Sequence, residues 1–321
     1  MALLATQPRR IRTRLRPRLP RTRRGIAATV LATLLCLSGA EAAAAWRGSN
    51  WAMYLPQVTY AWDLQSYPAL ARVATPIVVH SSTGATLTGR FFRGRLGATI
   101  ILSHGCAGNQ DEMLPVANML HAAGFNVVTY NERGRGTSTG QITLGALETK
   151  DLRSVVDVVS RHAYVDPNRI GALGFSMGAG FTILEAAADP RVKAVVDVAG
   201  WAVAEHWLDP KLSDLWKRPT TMYSPLSLLL VQLRTGINIS SLRPQDVIAK
   251  LSPRPVFIIQ GLDDKNVSPN ESRANYAHAR GPKTLWLVKG ANHYGMVGPT
   301  GAVTTSPRVA EFFAHALLGA R

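Results

Sequence analysis

Short apolar runs alternate along this chain with longer stretches that carry apolar residues at helical spacing. Ala98–Ser103, Asn126–Tyr130, Arg169–Phe175, Val192–Ala199, Val256–Gln260 and Thr284–Val288 read as strands apolar on both faces. Between and after them, Gln110–Ala123, Leu144–His162, Gly178–Ala188, Asn270–Ala279 and Pro307–Leu318 read as helices. Continuous apolar strands separated by amphipathic helices predict an α/β, doubly wound, mostly parallel sheet with helices on both faces. Ahead of this alternation, Ile77–His80 and Leu87–Phe92 flank Ser81-Ser82-Thr83-Gly84 and predict an antiparallel hairpin.

Two regions break the pattern. Residues 46–76 are rich in aromatics (Trp46, Trp51, Tyr54, Tyr60, Trp62, Tyr67) without a clean period, and are expected to pack over the body or rest at a membrane surface. Residues 200–251 form an irregular insert bearing Trp and Pro, with a strongly apolar Leu226–Leu233. An excursion between two strands at the carboxyl edge of such a sheet is well placed as a short helical lid over a site; a plain packed helix pair is the alternative.

Charge changes the picture only once it is located. The net charge is +16, yet nine of the 36 basic residues and only one of the 20 acidic ones precede Trp46. The remainder has 27 basic against 19 acidic residues, no dense basic stripe and no nucleic-acid motif, so no nucleic-acid partner is expected. The arginines (Arg9 to Arg24), the apolar run Gly25–Ala40 and the small residues Ala42–Ala45 make a signal-peptide layout. Arg23-Arg24 loosely suits a twin-arginine exporter, and an uncleaved membrane anchor over residues 25–45 is the competing reading. Either way residues 1–45 are a targeting segment and the body, an extension at 46–76 and a domain at 77–321, lies outside the cytoplasm. Cys36 lacks the small preceding residue of a lipoprotein site, and Cys106 alone cannot form an internal disulfide.

The candidate chemistry begins at Gly174-Phe175-Ser176-Met177-Gly178, where a strand feeds directly into a helix. A serine on such a strained turn holds its hydroxyl clear of the backbone, and glycines two residues away let strand and helix pass closely. The helix that follows aims its amides at Ser176, where negative charge would develop. A nucleophilic serine needs a base and an orienting acid. Gly261-Leu262-Asp263-Asp264 and Gly290-Ala291-Asn292-His293 each follow a strand, in the order Ser, Asp, His.

These segments, together with His104-Gly105-Cys106 after the first strand of the alternating part, resemble the α/β-hydrolase superfamily over residues 77–318, in its esterase, lipase or serine aminopeptidase-like branches. The resemblance implies Ser176 as nucleophile, Asp264 as acid with Asp263 a neighbour, His293 as base, and the amides of Cys106 and Met177 as oxyanion donors. Asn131–Ser138 resembles the superfamily's Asp-x-Arg-Gly-x-Gly-x-Ser loop with Asn131 in place of aspartate, which predicts altered hydrogen bonding around Arg133. Read without the family, the same glycines hint at a dinucleotide fingerprint, but the third glycine is misplaced and no acid-ended strand follows about twenty residues on. A Cys106 nucleophile has no base placed for it. The remaining histidines (His80, His121, His162, His206, His278, His315) lack metal-ligand spacing.

The expectation is therefore an exported serine hydrolase without cofactor or metal, acting on a small, hydrophobic acyl substrate, an ester first. A serine peptidase, using Glu205, Asp209 or Asp214 for a substrate amine, and a thioesterase or acyltransferase are alternatives. From another class, so is a binding protein that keeps the fold. Oligomeric state is not legible.

Overall fold

The computed structural model describes residues 23–53, 57–208 and 225–319. Its strands are β1 (Ala74–His80), β2 (Thr86–Phe92), β3 (Thr99–Ser103), β4 (Asn126–Tyr130), β5 (Ile170–Phe175), β6 (Val192–Val198), β7 (Val256–Gly261) and β8 (Lys283–Val288). The helices are α1 (Arg23–Met53), α2 (Pro68–Ala71), α3 (Leu114–Ala122), α4 (Ala146–Val159), α5 (Met177–Ala188), α6 (Ala204–Leu208), α7 (Pro225–Thr235), α8 (Pro244–Val247), α9 (Pro269–His278), α10 (Ala302–Thr305) and α11 (Arg308–Leu318). The strands join in one sheet, ordered β1-β2-β4-β3-β5-β6-β7-β8. Only β1–β2 and β2–β4 are antiparallel; the pairs β4–β3, β3–β5, β5–β6, β6–β7 and β7–β8 are parallel.

Successive strand residues feed opposite cores, as a period of two requires. Ile101, Val128, Val195 and Ile258 face Leu152, Val156 and Phe181 from α4 and α5, whereas Ile100, Val127, Val196 and Ile259 face Leu114, Leu120 and Phe313 from α3 and α11. Each such side chain, once fully buried, contributes about 1.5–3 kcal/mol, and a strand apolar on both faces is stable only when both are covered.

The predicted helices are trimmed for local reasons. Gln110–Met113 is a 3-10 turn before α3. α4 begins at Ala146 because Leu144 and Gly145 have left-handed backbones (φ 59° and 105°) and the Glu148 carboxylate accepts from the Thr143 and Gly145 amides. The hairpin turns as expected, with Gly84 at φ 87° donating its amide to the Ser81 carbonyl.

Two compact units are distinguished, Met1–Ala43 and Ala44–Arg321. α1 runs unbroken through Ala42–Ala45 to Met53, because those alanines are the strongest helix formers and nothing there ends the helix. Its stretch Thr29–Arg47, with mean hydropathy 1.4, is long and apolar enough to cross a membrane. Of the insert, residues 209–224, Asp209 and Asp214 among them, lie outside the described residues. Its last part belongs to the body: α8 and the turn Ile248–Leu251 pack on α5 and α9, with Ile248 and Leu251 fully buried.

Candidate active site

β5 ends in a tight turn. Ser176 has φ 56° and ψ −121°, a backbone that costs a side-chain-bearing residue about 1–3 kcal/mol. Glycine is required on both sides. A Cβ on Gly174 would collide with the Gly178 carbonyl and Ala179 Cα, and one on Gly178 would come within 2.5 Å of the His104 carbonyl oxygen and 2.7 Å of that of Ser103. The turn after β5 is thus pressed against the turn after β3.

The loops after β7 and β8 bring two more side chains to the same edge. His293 Nε2 lies 2.9 Å from Ser176 Oγ, and His293 Nδ1 lies 2.7 Å from Asp264 Oδ2. All three residues are buried. The Asp264 carboxylate is saturated with donors: Oδ1 accepts from the Asn266 and Val267 amides at 2.8 and 2.9 Å, and Oδ2 also accepts from Gln260 Nε2 at 3.0 Å. Ser272 Oγ donates to Gln260 Oε1, which fixes the orientation of that amide. A carboxylate acting only as acceptor makes His293 Nδ1 the protonated nitrogen. Nε2 then carries the lone pair, so the Ser176 hydroxyl donates to it. Asp263 is exposed and stands apart from this chain of bonds. Phe175 packs against the imidazole, ring centres 4.8 Å apart.

Cys106, buried, sits on the turn after β3, and Met177 opens α5. His104 is fully buried there. Desolvation lowers its pKa to about 3, a backbone hydrogen bond to Gly105 partly opposing. As a neutral ring it donates from Nδ1 to the Gly105 carbonyl at 2.8 Å and accepts the Glu132 amide at Nε2, 3.0 Å away.

The altered loop is intact. Asn131 accepts the Gln110 amide at 2.9 Å and donates to Thr88 Oγ1 at 3.0 Å; with an aspartate there the Thr88 hydroxyl would have to be the donor. Arg133 is held by Asp151, Nε to Oδ2 2.6 Å, so the departure at position 131 leaves it undisturbed.

Several buried groups around the site were not expected from the sequence. Glu112 accepts the Gly105 amide, and burial raises its pKa. Both carboxylate oxygens of Glu132 lack a hydrogen-bond partner, and desolvation, then Glu148, pushes that pKa well up. Asp197, at the end of β6, accepts from the Gly200 amide and Asn275, and desolvation raises its pKa to about 7. An acid inside the apolar run Val192–Ala199 was a readable signal for Asp197; Glu112 and Glu132 read as ordinary loop acids. Glu205, on α6, accepts from Ser240. Among the described residues no group of three His, Cys, Asp or Glu could hold a metal ion.

Comparison with known proteins bears on the fold and the family. The model of the family described as X-Pro dipeptidyl-peptidase (S15 family) matches residues 39–211, a stretch that holds Ser176 and ends before Asp264 and His293. The uncharacterized protein YqkD of Bacillus subtilis is 29% identical over 198 residues, which span 61% of this chain and 64% of that protein. YfhR of Escherichia coli, also uncharacterized, is 29% identical over 219 residues, 65% of this chain and 70% of that one. Among solved structures, the Pyrococcus furiosus esterase Pf2001 superposes with TM-score 0.65 at 22% identity, over 82% of this chain and 98% of its own. The hypothetical protein PA2218 of Pseudomonas aeruginosa gives 0.64 at 20%, over 82% and 100%. With the eight-stranded order above, these likenesses carry the fold, and the family match carries the lineage: the chain belongs to the S15 peptidase family, within the α/β-hydrolase superfamily.

Proposed function

We propose that this protein is a serine hydrolase that cleaves a carboxylic ester through an acyl-enzyme, outside the cytoplasm. The observation that carries the reading is the unbroken chain of hydrogen bonds from Ser176 through His293 to Asp264, which follow β5, β8 and β7, parallel strands of one sheet. Ser176 Oγ attacks the acyl carbonyl as His293 Nε2 takes its proton. Asp264 stabilises the imidazolium, and the amides of Cys106 and Met177 hold the oxyanion. The tetrahedral intermediate collapses, the His293 proton leaves with the alcohol, and water, activated by the same imidazole, releases the acid. No cofactor or metal enters this scheme.

A hydrophobic substrate suits the apolar α7 of the insert, whose Leu229 and Leu233 are exposed on one helix face in the position proposed for a lid. Residues 25–45 serve as a cleaved signal or as a membrane anchor, and the exposed apolar side chains of Thr29–Arg47 fit either role. A second reading, a serine peptidase, is favoured by the description of the matched family. A panel of p-nitrophenyl esters of increasing acyl length, run beside X-Pro p-nitroanilides, separates the two. Turnover of esters alone is the expected result; turnover of the anilides alone transfers the assignment to the peptidase. Inertness towards both, with no labelling by a fluorophosphonate, would leave a binding protein on a hydrolase fold.

A further inference from the structure

We propose that the segment at 57–62 clamps the oxyanion turn, with Glu112 as the positioning residue that joins Tyr60 to the Gly105 amide. The proposal rests on the hydrolase reading above and adds a part of the chain that precedes the sheet. A single buried carboxylate makes the bridge: Glu112 Oε1 accepts from the Tyr60 hydroxyl at 2.7 Å and Oε2 from the Gly105 amide at 2.6 Å.

The neighbouring contacts come from the same segment. The Val58 amide donates to the Ala107 carbonyl at 2.8 Å, Trp62 Nε1 donates to the Asp111 carbonyl at 2.9 Å, and Gln57 accepts the Gly136 amide at 2.9 Å. Packing is tight: a Cβ on Gly108 would strike the Glu112 carboxylate and lie 2.9 Å from the Tyr60 hydroxyl.

The geometry matters because the turn works through its backbone. In a trans peptide the carbonyl of one residue and the amide of the next point in opposite directions within one plane, so holding a carbonyl holds the amide that follows. The Gly105 carbonyl is held by His104 and by the Gly108 amide, and the Cys106 carbonyl by Arg135. Those bonds fix the peptide planes on both sides of Cys106, the amide assigned to the oxyanion. Glu112 fixes the preceding plane through Gly105, and Val58 the following one through Ala107. The segment after α1 therefore completes the candidate oxyanion turn rather than merely covering it.

The test uses the full-length protein and the ester it turns over best. Tyr60→Phe removes one hydroxyl from the bridge. It should lower kcat about five-fold with KM within two-fold, the size of one lost hydrogen bond expressed only where charge develops. Hydrogen–deuterium exchange should accelerate at residues 105–108 and nowhere in β5 or α5. Glu112→Ala should lose more, Glu112→Gln should recover at least half of that loss, and adding Tyr60→Phe to Glu112→Ala should cost nothing further. An active enzyme whose kcat and exchange ignore Tyr60→Phe, or whose double variant shows additive losses, overturns the clamp. A wild-type protein inert to every ester and to a fluorophosphonate overturns the functional reading itself, and the catalytic meaning of the clamp with it.

Discussion

Two turns meet at the carboxyl edge of this sheet, and they are built in opposite ways. The elbow at Ser176 is made locally: strand, strained serine and helix are contiguous, and glycines at 174 and 178 are all the neighbourhood must supply. The turn at Gly105–Gly108 is held by its neighbours His104 and Glu112 and, from afar, by Arg135, Val58 and, through Glu112, Tyr60, residues spread over nearly eighty positions. A side chain that does chemistry can be placed by its own strand end. A backbone amide that does chemistry has to be placed by whatever holds the adjoining peptide planes, and that is long-range, buried and polar.

The largest effect should come from the local turn. Ser176→Ala is expected to reduce ester turnover by at least about 10⁴-fold with an unchanged thermal transition, since the substitution relieves nothing the fold depends on. Retained turnover would remove Ser176 from the scheme. Asp264→Asn should follow at about 10³- to 10⁴-fold in kcat, because an amide cannot accept from every donor now facing the carboxylate and the His293 tautomer would be lost. A loss below ten-fold there would point to another acid.

Gly178→Ala breaks the contact between the two turns. The added methyl meets the His104 and Ser103 carbonyls, which are backbone and cannot swing away, so a stability loss of about 2 kcal/mol or more should accompany the loss of activity. Equilibrium urea unfolding reads it; an unperturbed midpoint would show that the turns tolerate separation.

A pH dependence is expected from outside both turns. Buried Asp197 has a folded pKa of about 7 against an ordinary value of 3.8, so between those values the folded state holds a proton that the unfolded state has released. Its contribution is complete in acid and is lost as pH rises towards neutrality. In urea titrations at pH 4 and pH 7, the stability of wild type relative to Asp197→Asn should fall with rising pH, by on the order of 4 kcal/mol at most. A difference that stays constant across that range would contradict it. The comparison isolates Asp197, since His104 and the buried glutamates are common to both proteins.

What could be read in the sequence follows the same division. The strand runs from Ala98 to Val288 were legible because burial on both faces leaves continuous apolar stretches, and the structure keeps them within a residue or two. Ser176 and His293 were nameable because each follows a strand within a glycine-bearing loop; Asp264 rather than Asp263 came from the resemblance to the α/β-hydrolase superfamily, and the structure brings the three together. Glu112 and Tyr60 were not. An acid near the start of a helix and a tyrosine in an aperiodic segment carry no local mark of a partner 52 residues away. The start of α4 was missed for a related reason: the left-handed Leu144 and the Glu148 cap oppose the helical pattern that the side chains alone display. Within the insert, Ile248 and Leu251 are core residues, which its irregular pattern of apolar positions does not mark.

The central claim is that Ser176 is an activated nucleophile, and the most direct measurement is site-mapped labelling of the full-length protein with a fluorophosphonate, followed by mass spectrometry. The account predicts one adduct per chain, on Ser176, abolished by Ser176→Ala and slowed at least a hundred-fold by His293→Ala. No adduct on a protein shown to be folded, or an adduct on another residue, would contradict it.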